Sequence, residues 1–173
     1  FGLQIGRGFW YSSIMAPMFI TSALVSGMGL VILLALVLRR LGRLVFDNSL
    51  VALLGGLLGV FILVEGFLLL AEYLTASYPG APEGEAAARM LTGLYLPLFL
   101  FEVVGGLVVP FVILAIRPLR NDPRWVALAS GIAIVGIFSH RLHLVLNGLS
   151  VPNIKLPPGL PIGVAQADPS YSF

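Results

Sequence analysis

The 173-residue chain is 58% hydrophobic and only 10% charged, with a formal net charge of +2 and a mean hydropathy of +1.02. A water-soluble domain of this length needs far more charged surface, so the composition excludes one and predicts that lipid solvates much of the chain. Its cations flank apolar segments instead of forming a basic patch, which argues against nucleic-acid binding. The lack of cysteine excludes disulfides, thiolate-held iron–sulfur clusters and covalently attached c-type haem within this chain.

Four apolar segments are long enough to cross a bilayer, whose hydrocarbon core of about 30 Å needs about 20 helical residues. In chain order they are Ile14–Leu38, Leu50–Leu74, Leu94–Ile116 and Trp125–Asn147. Together they predict a transmembrane unit over 14–147, preceded by a short extracytoplasmic segment over 1–13. After the fourth segment come 26 residues with five prolines (148–173), which predict an extended extracytoplasmic tail. Because the chain begins at Phe1, without an initiator methionine or a signal-peptide pattern, we expect a piece of a longer subunit.

The distribution of cations predicts the orientation of the four segments. Positive residues concentrate on the cytoplasmic side of membrane proteins. The first and third connections, 39–49 and 117–124, contain six arginines, whereas the opposite side has three cations. These two connections are therefore predicted to be cytoplasmic. The six arginines are Arg39, Arg40, Arg43, Arg117, Arg120 and Arg124, and the three cations opposite them are Arg7, Arg89 and Lys155.

Small residues within the segments predict close helix packing. Gly55 and Gly59 lie one turn apart in the second segment, and Gly105 and Gly106 are adjacent in the third. Small residues let membrane helices approach closely. With short connections on one side, the simplest architecture is an all-α polytopic protein whose segments form an antiparallel four-helix transmembrane bundle.

Ionisable residues in three of the four segments form the main candidate site. Glu65 and Glu72 share one face of the second segment, Glu102 lies in the third, and His140, Arg141 and His143 lie in the fourth. Counted from the middle of each segment, Glu65 and Glu102 lie about 4–5 Å to the extracytoplasmic side of the midplane. His140 and Arg141 fall close to that level, as do Thr21 and Ser22 of the first segment. Polar groups from all four segments thus converge on one layer.

Two interpretations of this layer remain open. Arg141 can form a structural ion pair with Glu65 or Glu102, with Ser22 satisfying what remains, because an unpaired charge at this depth is costly. Alternatively, one arginine neutralises only one of two carboxylates, which leaves the other free to bind and release protons in a proton or ion path. Glu72 and His143 lie nearer the membrane surface, so they are secondary candidates for either role, and the alternative is that water simply solvates them.

Cofactor and catalytic motifs are not evident in the sequence. Both histidines lie on one segment, whereas bis-histidine haem usually takes ligands from facing helices, so haem ligation within this chain is not predicted. No HExxH, GxSxG or phosphate-binding glycine motif is present. No catalytic or metal-binding residue is therefore assigned.

The two end segments resemble a known family. The stretch GFWYSSIMAPMFITSALVSGMGLVILLAL (8–36) is similar to the helix that opens the second half of NrfD/PsrC-type proteins, through Trp10, Pro17 and the run FITSALVSG. RLHLVLNGLSVP (141–152) resembles the arginine-containing last helix of that family, and DPSYSF (168–173) resembles its tail. These proteins are integral membrane subunits of polysulfide-reductase-like and related respiratory complexes.

The resemblance implies that this chain is the second bundle of a subunit with eight or more helices in a bacterial or archaeal cytoplasmic membrane. It implies docking of an iron–sulfur subunit beside a catalytic subunit and exchange of electrons with quinone or quinol. Iron–sulfur clusters, molybdopterin or haem would then lie only in partner subunits. The quinone pocket of such subunits lies mainly in the first bundle, so no quinone ligand is assigned here.

The preferred functional interpretation is a membrane subunit of a quinone-linked respiratory oxidoreductase, either non-catalytic or quinone-reactive. Proton conduction through Glu65, Glu102, His140 and Arg141 would be its contribution from this chain. One alternative is half of a secondary transporter or ion channel with a polar site near the midplane. The other is an inert membrane anchor, in which the buried charges only fix the helix register.

Overall fold

The structure is a computed structural model that describes residues 14–76 and 96–150. Its long helices are α1 (Met15–Arg40), α2 (Asn48–Ala76) and α6 (Pro123–Ser150). Between α2 and α6 lies a composite helix, built from α3 (Leu96–Leu100), a π-helical segment (Phe101–Val108) and α4 (Val109–Ala115). A single turn, α5 (Arg117–Arg120), leads into α6. The predicted N-terminal segment (1–13) and residues 151–173 of the predicted tail lie outside the described residues.

The predicted all-α membrane class is confirmed. Three helices in the described part of the chain are long and apolar enough to cross a membrane, namely Met15–Arg40, Asn48–Thr75 and Pro123–Val145. The predicted third segment corresponds to the composite helix, whose stretch Phe101–Ala115 is apolar but shorter. Its predicted first residues, Leu94 and Tyr95, fall outside the described ranges. The closed four-helix bundle and the boundaries of the transmembrane unit stay predictions.

Helix α1 shows how these sequences fold in lipid. Its buried residues recur every three or four positions and form one stripe along the helix, whereas its other faces expose large apolar side chains. Exposing such a surface to water would be unfavourable, whereas exposing it to lipid hydrocarbon is not. The stripe therefore marks the protein-facing side of α1. It comprises Met15, Met18, Ser22, Val25, Gly29 and Ile32.

Helix α6 is the central element of the packing. It lies against α1, against the π-helical segment and against α4, while α2 packs on α1 and α4. The closest approach joins Gly106 of the π-helical segment to Gly136 of α6, where a Cβ atom on either glycine would overlap the Cα of the other. Two backbones can come this close only where both residues lack a side chain.

The π-helical segment positions the third carboxylate. Hydrogen bonds from residue i to i+5 are rare and occur mostly as short interruptions of α-helices, frequently at functional sites. This one spans eight residues, contains Glu102 in its first turn and ends just before Pro110, the second residue of α4. Its wider turn changes which side chains of the composite helix face α6, and Glu102, Gly106 and Leu107 are its buried residues.

Candidate functional site

The site centres on Glu102, whose carboxylate binds two histidines of α6. Its Oε1 lies 2.5 Å from Nδ1 of His140, and its Oε2 lies 3.0 Å from Nδ1 of His143. His140 and His143 are three residues apart on one helix, so both rings reach the same carboxylate. Glu102 and His143 are only 2% and 1% exposed, and His140 is partly buried. The three side chains form a bridged carboxylate–histidine group within the protein interior.

The contacts of this group determine where its protons lie. An ionised carboxylate only accepts hydrogen bonds, so each Nδ1 atom that faces Glu102 carries a proton in that state. The carboxylate thereby fixes the tautomer of both rings, as hydrogen-bonded carboxylates do for many other histidines.

Glu65 lies on the other side of the site and has a different partner. Its Oε2 accepts a hydrogen bond from the hydroxyl of Thr21 in α1, and the side chain is 2% exposed. The Thr21 hydroxyl also lies 3.2 Å and 3.1 Å from the carbonyl oxygens of Pro17 and Met18. Glu65 is thus held against α1, whereas Glu102 is held against α6.

Arg141 contacts α1 and forms no salt bridge with a carboxylate among the described residues. Its guanidinium donates to Ser22 Oγ at 3.3 Å and lies 5.8 Å from the ring centroid of Phe19, within cation–π range. Ser22 in turn donates to the carbonyl of Phe19 at 3.0 Å. The predicted pairing with Glu65 or Glu102 is therefore not seen as a direct contact. A side chain one residue after His140 is turned by about 100° around the helix, which directs Arg141 to α1 while His140 faces Glu102.

A small cavity connects the two carboxylates. Glu65, Glu102 and His140 line it together with apolar residues, and its volume is about 10 Å³. That volume is close to the minimum that holds one water molecule, and the three polar side chains supply hydrogen-bond partners for it. Glu65 and Glu102 thus share a space of water size without touching each other.

A second cavity of about 10 Å³ extends the site along α2. Glu72 and Tyr73 line it together with Glu102, His140 and His143. Glu72 is 3% exposed, so the structure places it inside the protein, not in the surrounding water. All seven candidate residues from the sequence are thereby located: Ser22 and Arg141 at the α1–α6 contact, and Glu65, Glu72, Glu102, His140 and His143 around the two cavities.

Two aromatic residues of the site were missed by sequence reasoning. Tyr73 stacks at a tilt on Phe99 with 5.0 Å between ring centroids, and Phe99 meets the ring of His143 edge-on at 6.4 Å. Tyr73 lines the second cavity, and Phe99 packs between Tyr73 and His143. The sequence places Tyr73 next to the candidate Glu72, but this adjacency does not indicate the direction in which the Tyr73 ring points.

The Thr21 contact leads to a stability prediction. We expect Thr21→Val to lower the free energy of unfolding by about 1–3 kcal/mol, because it removes the hydroxyl donor from a buried carboxylate while keeping the side-chain shape. Thr21→Ser, which keeps a hydroxyl, is the matched control and should stay near wild type. The thermal midpoint of the purified full-length protein measures both. Equal midpoints for Thr21→Val and wild type would show that this hydrogen bond contributes nothing.

Fold and site together define a polytopic α-helical membrane protein with a buried carboxylate–histidine group bordered by water-sized cavities. Within the described residues, no group of three or more His, Asp and Glu side chains is arranged to hold a metal ion. A model of the family described as polysulphide reductase NrfD matches residues 1–153. The chain belongs to this family.

Two curated proteins illustrate its relationships. The chain is 33% identical over 165 residues to a putative membrane subunit of dimethyl sulfoxide reductase from Halobacterium salinarum, covering 94% of this chain and 38% of that protein. It is 26% identical over 151 residues to an Hdr-like menaquinol oxidoreductase integral membrane subunit of Archaeoglobus fulgidus, covering 86% of this chain and again 38% of the relative. The chain therefore spans well under half the length of these relatives.

Proposed function

We propose that this chain is part of the membrane subunit of a quinone-linked oxidoreductase complex, and that its buried cluster conducts protons. Membership of the NrfD family and the names of the two relatives, one a menaquinol oxidoreductase subunit, support the first part. The observation that carries the second part is Glu102, held by His140 and His143 in the interior and bordered on both sides by water-sized cavities.

The geometry supports proton transfer by short hydrogen-bonded steps. A water molecule in the first cavity would exchange a proton between Glu65 and the Glu102–His140 pair. Because histidine accepts a proton at one ring nitrogen and releases one from the other, His140 and His143 can pass it across the carboxylate. The second cavity then offers Glu72 as the next acceptor. Arg141 contributes positive charge beside the path without blocking it, since its direct hydrogen bond goes to Ser22.

The size of the cavities favours protons over quinone as the occupants of this site. Each has a volume of about 10 Å³, and apolar side chains such as Leu69 close their walls. A quinone ring is many times larger than a water molecule and does not fit either cavity. We therefore place quinone binding outside this cluster.

The remaining features of the proposal concern the assembly. We place the subunit in the cytoplasmic membrane with the arginine-rich connections 39–49 and 117–124 on the cytoplasmic side, following the positive-inside rule. The described helices would form the second of two four-helix bundles. The full-length protein would anchor an iron–sulfur subunit and exchange electrons with the quinone pool. Any cluster, molybdopterin or haem would then belong to the partner subunits.

Purification of the full-length protein from its native membrane tests the assembly. We expect it to copurify with an iron–sulfur subunit and the complex to oxidise or reduce a quinol analogue. Purification as a single polytopic protein that transports a solute without redox partners would instead favour the secondary-transporter alternative.

Glu65→Gln tests the proton path within this complex. The amide still accepts a hydrogen bond from Thr21 but cannot bind and release a proton in the working range, so we expect proton movement to fall about tenfold or more while the subunits stay assembled. Asp47→Asn, which changes an exposed carboxylate in the first connection, is the matched control and should leave proton movement unchanged. Wild-type proton movement by Glu65→Gln would exclude Glu65 from the path.

A further inference from the structure

A groove far larger than the cavities of the cluster lies at the other end of the molecule. Its volume is about 320 Å³, and it opens between the last turns of α1 and the first turns of α2. Ile32 and Leu36 form one wall and Leu50 and Leu54 the other. Every residue that lines it is apolar, so the groove offers dispersion contacts but no hydrogen-bonding side chain.

The connection between α1 and α2 completes the groove with apolar side chains. Gly42 adopts a positive φ of 71° at the end of α1, which lets the chain reverse direction there. The groove is also lined by three residues of the loop that follows, Leu44, Val45 and Phe46. Val45 is 99% exposed. A surface loop with such side chains is suited to hydrocarbon contact.

Three arginines lie close in sequence to the residues that line this groove. The guanidinium of Arg39 lies 5.2 Å from the ring centroid of Phe46 and donates one hydrogen bond of 2.7 Å to Asn48 Oδ1, which leaves most of its N–H groups available. Arg40 and Arg43 are exposed, and Arg43 directly precedes the lining residue Leu44. Asp47 is the one acidic side chain in the connection 39–49, which also contains three arginines, so this connection has a net charge of +2.

We propose that this groove binds an anionic phospholipid, with one hydrocarbon chain between α1 and α2 and the phosphate group held by Arg39, Arg40 and Arg43. A guanidinium group can bind phosphate through two parallel N–H···O hydrogen bonds. Arginines beside a membrane helix also attract anionic headgroups. The apolar walls alone would suit a quinone tail equally well. A quinone is uncharged, however, so it would form no ion pair with the neighbouring arginines. This lipid site does not depend on proton conduction by the cluster.

Native mass spectrometry of the full-length complex with added phosphatidylglycerol tests the charged half of the site. We expect the double variant Arg40→Gln/Arg43→Gln to retain the lipid about thirtyfold more weakly than wild type, since each arginine near a membrane surface strengthens such binding severalfold. The matched control is Arg117→Gln/Arg124→Gln, which removes two exposed arginines from the other connection and should retain the lipid normally. An equal loss in both double variants, or no loss in either, would overturn the proposal.

A second pair of variants tests the apolar half of the site. Ala35→Trp places a large ring into the groove, whereas Leu34→Trp adds the same ring to the exposed outer face of α1. We expect Ala35→Trp to abolish retention of phosphatidylglycerol and Leu34→Trp to leave it intact. If Ala35→Trp instead releases a quinone or a partner subunit while the lipid stays bound, the groove serves that other occupant and the proposal is wrong.

Discussion

Glu102→Gln is expected to lower quinol-linked turnover of the full-length complex by about a hundredfold or more, without preventing assembly. Proton transfer by a positioned side chain contributes about 10²–10⁴-fold to rates that depend on it. Glu102 contacts both histidines and lines both cavities, so the substitution removes the one carboxylate that the two cavities share. The amide keeps the size of the side chain and still accepts one of the two hydrogen bonds. Turnover per assembled complex, measured with a soluble quinol analogue, gives the result.

The comparison with Asp47→Asn separates loss of the site from a general effect of removing negative charge. Asp47 is exposed in the first connection and distant in sequence from the cluster. We expect wild-type turnover for this variant. If Glu102→Gln and Asp47→Asn are equally active, Glu102 has no part in turnover, and its contacts with His140 and His143 are structural.

Gly136→Ala is expected to produce the largest loss of folded protein. A Cβ atom at this position would overlap the backbone of Gly106, so α6 and the π-helical segment must separate. Overpacking of a core usually costs about 1–3 kcal/mol, and two backbones in contact can adjust less than flexible side chains. The separation would also pull Glu102 away from His140. The yield of monodisperse full-length protein and its thermal midpoint measure the effect.

Gly131→Ala is the matched control on the same helix. Nothing lies within 4 Å of a Cβ atom at Gly131. Because alanine is the better helix former by about 1 kcal/mol in water, we expect this variant to equal or slightly exceed wild type in thermal midpoint. A normal midpoint for Gly136→Ala would contradict the close contact between α6 and the π-helical segment.

The long helices could be predicted from the sequence because apolar length is a direct physical requirement of the bilayer. The predicted segment Ile14–Leu38 corresponds to the observed Met15–Arg40, and Leu50–Leu74 corresponds to Asn48–Ala76. The observed helices continue past the apolar run since backbone hydrogen bonding does not stop where hydrophobicity does. The sequence also predicted that polar groups of the four segments lie in one layer, because depth can be counted along a helix.

The partners within that layer could not be predicted in the same way. Counting depth places Arg141 beside the carboxylates, but the contact depends on the rotation of α6, which directs His140 and His143 to Glu102 instead. The π-helical segment has no sequence signature, because a change of hydrogen-bond register leaves no pattern in residue type. Glu102 lies in the first turn of this segment and faces α6. The contact between Gly106 and Gly136 could not be predicted either, because the segments contain many glycines and the sequence does not indicate which two are in contact.

The central claim is that protons move through the interior by way of Glu65, Glu102 and the two histidines. Its most direct test uses the full-length complex reconstituted in vesicles with a pH-indicator dye trapped inside, and measures both the rate of proton movement and the number of protons moved for each quinol consumed. We expect Glu65→Gln and Glu102→Gln each to lower the rate of proton movement about tenfold or more, and Asp47→Asn to match wild type. Unchanged rate and proton number in both glutamine variants would contradict the claim.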